Sequence, residues 1–212
     1  MKKRMILAAA LLAAFTLWTV ALCHVDVQAI GPENSTVGFA HINGFVHRLT
    51  GVNMSLYTIT DWLGLVPVAF GFGFAVLGLV QWIKRKNILQ VDASILVLGC
   101  FYLLVLAVYI LFETVVINRR PVLINGYLET SYPSSTTLLV LCVMPTAAMQ
   151  FYNRIKVTVL RSVVTIAIVV FVAFVIGGRL LSGVHWFSDI VGGILLAGGL
   201  VMLYDAVTKS LL

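Results

Sequence analysis

Arg179, His185 and Asp189 fall together in the run Gly-Arg-Leu-Leu-Ser-Gly-Val-His-Trp-Phe-Ser-Asp, beside a long apolar stretch. Ionisable groups in or next to a membrane span are costly, so their presence points to function. His185 and Asp189 are four residues apart, which on a helix would place them on one face. A carboxylate so placed can hold one imidazole nitrogen and leave the other free to attack. Arg179 offers a planar fork of donors that matches a phosphate. The set therefore suits nucleophilic phosphoryl chemistry. The bland alternative is a satisfied ion pair at a membrane surface.

The rest of the chain must hold these groups in lipid. Its 212 residues are 61% hydrophobic and 10% charged, whereas a soluble domain is about a quarter charged. This composition predicts an all-α, polytopic membrane protein, with residues 1–212 forming a single domain. The formal charge of +6 is spread without a basic stripe or recognition module, so nucleic acid is not an expected partner. Cys23, Cys100 and Cys142 are scattered. They have neither metal-ligand nor disulfide spacing and read as small apolar residues. No metal and no cofactor are expected.

Six apolar stretches are long enough to cross a bilayer: Met5–Leu22, Leu63–Ile83, Ser94–Ile117, Thr136–Tyr152, Thr158–Gly177 and Phe187–Leu203. They predict a six-helix transmembrane bundle. The fourth carries Pro145, which favours a kink or tilt. The sixth is rich in small residues (Gly192, Gly193, Gly198, Gly199), which allow close helix packing in lipid. The first stretch could alternatively be a signal peptide, with Lys2, Lys3 and Arg4 as its basic region and Val27-Gln28-Ala29 as a cleavage site.

In a six-span arrangement Lys2, Lys3, Arg4, Lys84, Arg85, Lys86, Arg154, Lys156, Arg161 and Lys209 share one side. Arg48, Arg119, Arg120 and Arg179 share the other. The positive-inside rule puts the first group, and both termini, in the cytoplasm. The loops bearing the remaining arginines then face outward, an arrangement that suits a bacterial plasma membrane. Residues 24–60 are the longest segment outside the spans. Phe39, Ile42, Phe45, Val46 and Leu49 recur there at helical spacing. They predict a short amphipathic helix on the membrane surface, with His41, His47 and Arg48 at head-group level.

Two outward loops should meet in one pocket. The loop after the third span reads Asn118-Arg119-Arg120-Pro121, then Asn125-Gly126, then Ser131-Tyr132-Pro133-Ser134-Ser135-Thr136. Asn-Gly and the prolines mark turns. Ser134, Ser135 or Thr136 can cap the following helix, whose N-terminal N–H groups form an anion site. Alone, the serines could be only a cap and the arginines only head-group anchors. The second loop carries Arg179, His185 and Asp189, and two phosphate-suited constellations on one face are more telling than either alone.

These residues resemble the type 2 phosphatidic acid phosphatase superfamily of integral membrane lipid phosphatases, whose signatures are Lys-x6-Arg-Pro, Pro-Ser-Gly-His and Ser-Arg-x5-His-x3-Asp. Order, loop placement and six-span architecture agree over nearly the whole chain. The third signature is present as Arg179, His185 and Asp189, with Gly178 in place of serine. The first survives as Arg120-Pro121 with Glu113 at the lysine position. The second survives as Pro133-Ser134, with Ser135 and Thr136 where glycine and histidine stand in the family.

The resemblance implies His185 as the nucleophile that becomes phosphohistidine and Asp189 as its orienting carboxylate. It implies Arg120, Arg179, Ser134 and the neighbouring Ser135 and Thr136 backbone as the phosphate cradle, without a metal. The substrate would be a membrane lipid phosphate reached laterally from the bilayer. Threonine at 136 removes the family's proton donor, a loss of about 10²–10⁴-fold where the leaving group needs a proton. A lipid diphosphate leaves as a phosphate monoester and needs it less, which favours an isoprenoid diphosphate over phosphatidic acid. Glu113 could instead supply the proton, with Arg119 restoring the lost positive charge. A third outcome is a protein that binds or transports a lipid phosphate without cleaving it.

Overall fold

A computed structural model describes residues 2–211. Eight α-helices follow in order: α1 Lys2–His24, α2 Ala40–Thr50, α3 Met54–Leu63, α4 Leu65–Arg85, α5 Ala93–Thr114, α6 Ser135–Arg154, α7 Thr158–Leu181 and α8 Phe187–Leu211. With α3 and α4 counted as one rod, Met54–Arg85, they supply six helices long and apolar enough to cross a membrane. The chain is an all-α, multi-pass membrane protein, as its composition predicts. Pro145 lies within α6, which runs on as one helix to Arg154.

The second span departs from expectation. Its helix begins at Met54 rather than near Leu63, so the segment outside the spans is shorter than residues 24–60. Polar residues concealed this start. Thr58 and Thr60 donate to the carbonyls of Met54 and Leu56, each at 2.9 Å, so the hydroxyls are satisfied inside the helix. Asn53 caps it, accepting from Leu56 N–H at 2.9 Å. The amphipathic stretch does form a helix, α2. Ile42, Phe45 and Leu49 point outward while Ala40 and Asn43 are buried.

Helices α6 and α8 form the centre: about half of each span is buried (50% and 56%), against 11–22% for the others. The outer helices turn residues such as Phe72, Leu103 and Val169 outward, where lipid is the matching solvent. Glycines let α8 sit this deep. A Cβ on Gly199 would lie 2.7 Å from Leu12 of α1, and one on Gly192 would lie 2.4 Å from the Tyr132 ring. Tyr132 stacks on Phe15 and its hydroxyl meets Thr19 Oγ1 at 2.6 Å. It thereby pins the loop before α6 to α1 and α8. At the far end of the bundle, Arg4 pairs with Asp205 while Arg85 and Arg154 pair with Asp92.

Candidate active site

The loop between α5 and α6 folds back on itself. Ile124 and Tyr127 exchange backbone hydrogen bonds around Asn125-Gly126, both at positive φ, as a tight hairpin turn requires. Arg120 N–H reaches Glu129 O at 3.1 Å, and Ser131 N–H reaches Asn118 O at 3.0 Å. This register sets Asn118, Arg120 and Ser131 at the base of the hairpin, against the start of α8.

Asp189 lies in the first turn of α8 and is fully buried. Its Oδ2 accepts from Trp186 N–H at 2.9 Å, closing the helix start as a capping residue does. His185 therefore precedes the helix and does not share a helical face with Asp189, contrary to the four-residue spacing argument. Their closest approach, Nδ1 to Oδ2, is 3.7 Å, too long for a hydrogen bond.

Ser131 bridges them. Its Oγ is 3.1 Å from His185 Nδ1 and donates to Asp189 Oδ2. One tautomer satisfies every group: Nδ1–H donates to Ser131, Ser131 donates to the carboxylate, and Nε2 keeps its lone pair. Arg120 Nη1 at 3.3 Å and Arg179 Nη2 at 3.0 Å both point donors at that lone pair. Burial first, and the two guanidinium charges next, hold the His185 pKa well below the usual 6.5. The imidazole is thus neutral, with its free nitrogen where two cations converge.

Those cations are themselves well buried. Arg179, in the last turn of α7, is 1% exposed, and its Nε is buried without an acceptor. Its Nη1 meets Asp61 Oδ1 of α3 at 3.3 Å. Arg120 Nε is 3.0 Å from Glu129 Oε2. The Tyr57 ring lies under both guanidiniums, 4.8 Å from Arg179 Cζ and 5.9 Å from Arg120 Cζ.

The predicted cradle is only partly assembled at this point. Ser134 caps α6, its hydroxyl accepting from Thr137 N–H at 3.5 Å, so the hydroxyl serves the helix start. Ser135 lines a small cavity with His185, Ser131 and Glu113. Thr136 turns toward the α3–α4 joint, where a Cβ on Gly64 would lie 3.4 Å from its methyl. Glu113 is exposed at the cavity rim and accepts from Thr130 Oγ1 at 3.3 Å. Arg119 lies elsewhere: its guanidinium holds the Leu128 carbonyl at 2.9 Å inside the hairpin.

The loop bearing His185 is clamped from above. Asn43 of α2 accepts from Ser188 N–H at 3.0 Å and donates to Ser188 Oγ at 2.9 Å. His47 Nε2 is 3.1 Å from Gly183 O. Gly183 has φ +65°, and a Cβ there would lie 1.8 Å from Gly51 O, so only glycine fits the turn. His41 pairs with Asp26 and stays at the surface.

Sequence reasoning missed Ser131, Asn118, Asn43, Tyr57 and Asp61. Asp61 carried a usable signal, an acidic residue at the edge of an apolar span. The others are common polar residues in loops or helices and stand out only once the chain is folded.

Residues 118–209 match the family model of the PAP2 superfamily. The matched segment holds Arg120, Ser131, Arg179, His185 and Asp189. No curated protein matches the sequence significantly. Among solved structures, the chain is similar to a transmembrane PAP2-type phosphatidylglycerolphosphate phosphatase from Bacillus subtilis. The TM-score is 0.64 at 19% identity, covering 97% of this chain and 98% of that one. Fold and motif residues therefore point the same way: the chain is a multi-pass membrane protein with the fold of that transmembrane PAP2-type structure, and its residues 118–209 match the PAP2 superfamily model.

Proposed function

We propose that the protein is a membrane lipid phosphatase that removes a terminal phosphate through a phosphohistidine on His185. The observation that carries this reading is the neutral Nε2 facing two buried guanidiniums, with Nδ1 tied through Ser131 to Asp189. A phosphoryl group entering between them exchanges a nitrogen lone pair for anionic oxygens as the acceptor of both arginines, a stronger charge-assisted contact. Nε2 attacks phosphorus as the P–O bond to the lipid breaks. The histidine charge that develops is stabilised along the Ser131–Asp189 link. Positioning and electrostatics carry phosphoryl transfer, and both are built into the buried groups.

The substrate class we favour is an isoprenoid diphosphate. With threonine at 136, no histidine stands ready to protonate a departing alkoxide, whereas a lipid monophosphate leaves without a proton. The site side carries four basic residues against ten on the other side and no lysine, which supports a site on the outer face of a plasma membrane, with both termini inside. The cavity beside His185 is lined by Tyr109, Phe112 and Glu113 of α5 and by Leu138 of α6, which favours lipid entry between these two helices.

The test is phosphate release by purified protein in detergent from undecaprenyl diphosphate, phosphatidylglycerophosphate and phosphatidic acid, with and without chelator, beside His185→Ala. The reading expects release from the diphosphate, resistant to chelator and lost in the variant. Head-group binding that survives His185→Ala, with no release from any substrate, would instead establish a lipid-phosphate binder or transporter.

A further inference from the structure

We infer that Asp61 is the proton acceptor for the water that hydrolyses the phosphohistidine, an inference that rests on the phosphatase reading above. Two departures from the family signatures meet the same element, α3. Gly178 stands where serine is usual, and a Cβ there would lie 2.6 Å from Thr60 Cγ2 and 3.4 Å from Leu56 Cδ1. With no side chain at 178, α3 packs flush against α7. Thr136 stands where the proton-transferring histidine is usual, and its methyl faces Gly64, three residues beyond Asp61. The space that these positions vacate is filled by α3, which presents Tyr57 and Asp61 on one face, four residues apart.

Asp61 reaches the reacting centre through a single guanidinium. Its Oδ1 holds Arg179 Nη1 at 3.3 Å, and Nη2 of the same group holds His185 Nε2 at 3.0 Å. In an in-line displacement the phosphoryl group lies between Nε2 and the incoming oxygen, so a base belongs one hydrogen bond farther on. A carboxylate one guanidinium away from Nε2 meets that requirement. Asp61 is half-exposed, at 55% of its side chain, while His185 and Asp189 are shut from water. Of the three carboxylate and imidazole groups, Asp61 is thus the one that reaches the molecular surface. Glu113 fits less well, because it sits at the cavity rim with Thr130 as its partner and touches neither arginine nor His185.

In the first step Nε2 donates its electron pair to phosphorus, and the lipid monophosphate leaves with the P–O pair. In the second, water adds to phosphorus and gives one proton to the Asp61 carboxylate. The P–N bond breaks and its pair returns to Nε2. Asp61 then loses the proton to solvent, and inorganic phosphate departs.

The experiment uses the full-length protein and a polyprenyl diphosphate radiolabelled in its terminal phosphate, quenched in alkali to preserve phosphohistidine. Asp61→Asn keeps the side-chain shape. It should cut steady-state turnover by about 10²-fold or more while labelled enzyme still forms at the wild-type rate and accumulates on His185. Asp61→Glu should recover part of the turnover. Unchanged turnover in Asp61→Asn overturns the inference. So does an equal slowing of labelling, which would make Asp61 only a support for Arg179. Absence of label and of release in the wild type would instead sink the phosphatase reading, and this inference with it.

Discussion

At the end of the bundle away from the site, Arg4, Arg85 and Arg154 are 33–42% exposed and each meets a carboxylate at 2.8–3.4 Å. At the site end, Arg120 and Arg179 are 10% and 1% exposed and likewise meet Glu129 and Asp61 at 3.0 and 3.3 Å, yet both also aim a donor at an uncharged nitrogen. The first kind of pair forms in solvent and contributes little, about 0–1 kcal/mol. The second concentrates positive charge where water cannot screen it. Identical side chains thus join helix ends at one end and keep a spare donor on a neutral nitrogen at the other, and burial separates the two.

Replacing arginine by lysine at both ends tests that contrast most severely. Arg179→Lys loses the fork that spans Asp61 and His185, and phosphate release should fall by about 10²–10³-fold, as when a preorganised donor is removed. Arg154→Lys should leave release unchanged in the same assay. Equal effects at the two ends would abolish the distinction.

Next in size is Ser131→Ala. It cuts the hydrogen-bonded link between His185 Nδ1 and Asp189, leaving the 3.7 Å gap unbridged. Loss of an outer group that orients a functional imidazole costs about 10–100-fold. Release within twofold of wild type, about 0.4 kcal/mol, would mean that Asp189 orients the ring unaided.

The smallest effect concerns pH. Burial and two guanidiniums disfavour the imidazolium at 185, so the ring stays neutral as pH falls through 6.5. The rate of enzyme phosphorylation should hold there and decline only at lower pH. Arg120→Gln removes one repelling charge, so the pKa rises and the decline moves to higher pH. A limb that stays in place while the rate falls would assign it to another group.

Much of this was legible in the sequence, and the boundary is physical. Six spans follow from apolar run length, and Arg120, Arg179, His185 and Asp189 from ionisable types at their ends. The start of the second span was hidden because hydropathy counts Thr58, Thr60 and Asp61 as polar, although the threonines bond to their own helix. The relation of His185 to Asp189 was misjudged because spacing implies a common face only if the helix includes both. Here Trp186 begins the cap. Ser131 could not be singled out, since its role arises from the hairpin register that sets it opposite Asn118. Arg119 and Arg120 look alike as letters, and only that fold sends one to Leu128 and the other to His185.

The cavity at His185 has a volume of about 10 Å³, roughly the space of one water. A phosphoryl group does not fit until side chains part. On the phosphatase reading, a lipid phosphate then binds only those molecules in which the side chains have parted. Its measured affinity is the intrinsic affinity scaled down by the fraction of molecules standing open. Trimming the wall at Phe112 or Leu138 would raise that fraction and tighten apparent binding without adding a contact. The same change would admit water more freely, so capture of the lipid and protection of the phosphorylated histidine pull the width of this opening in opposite directions.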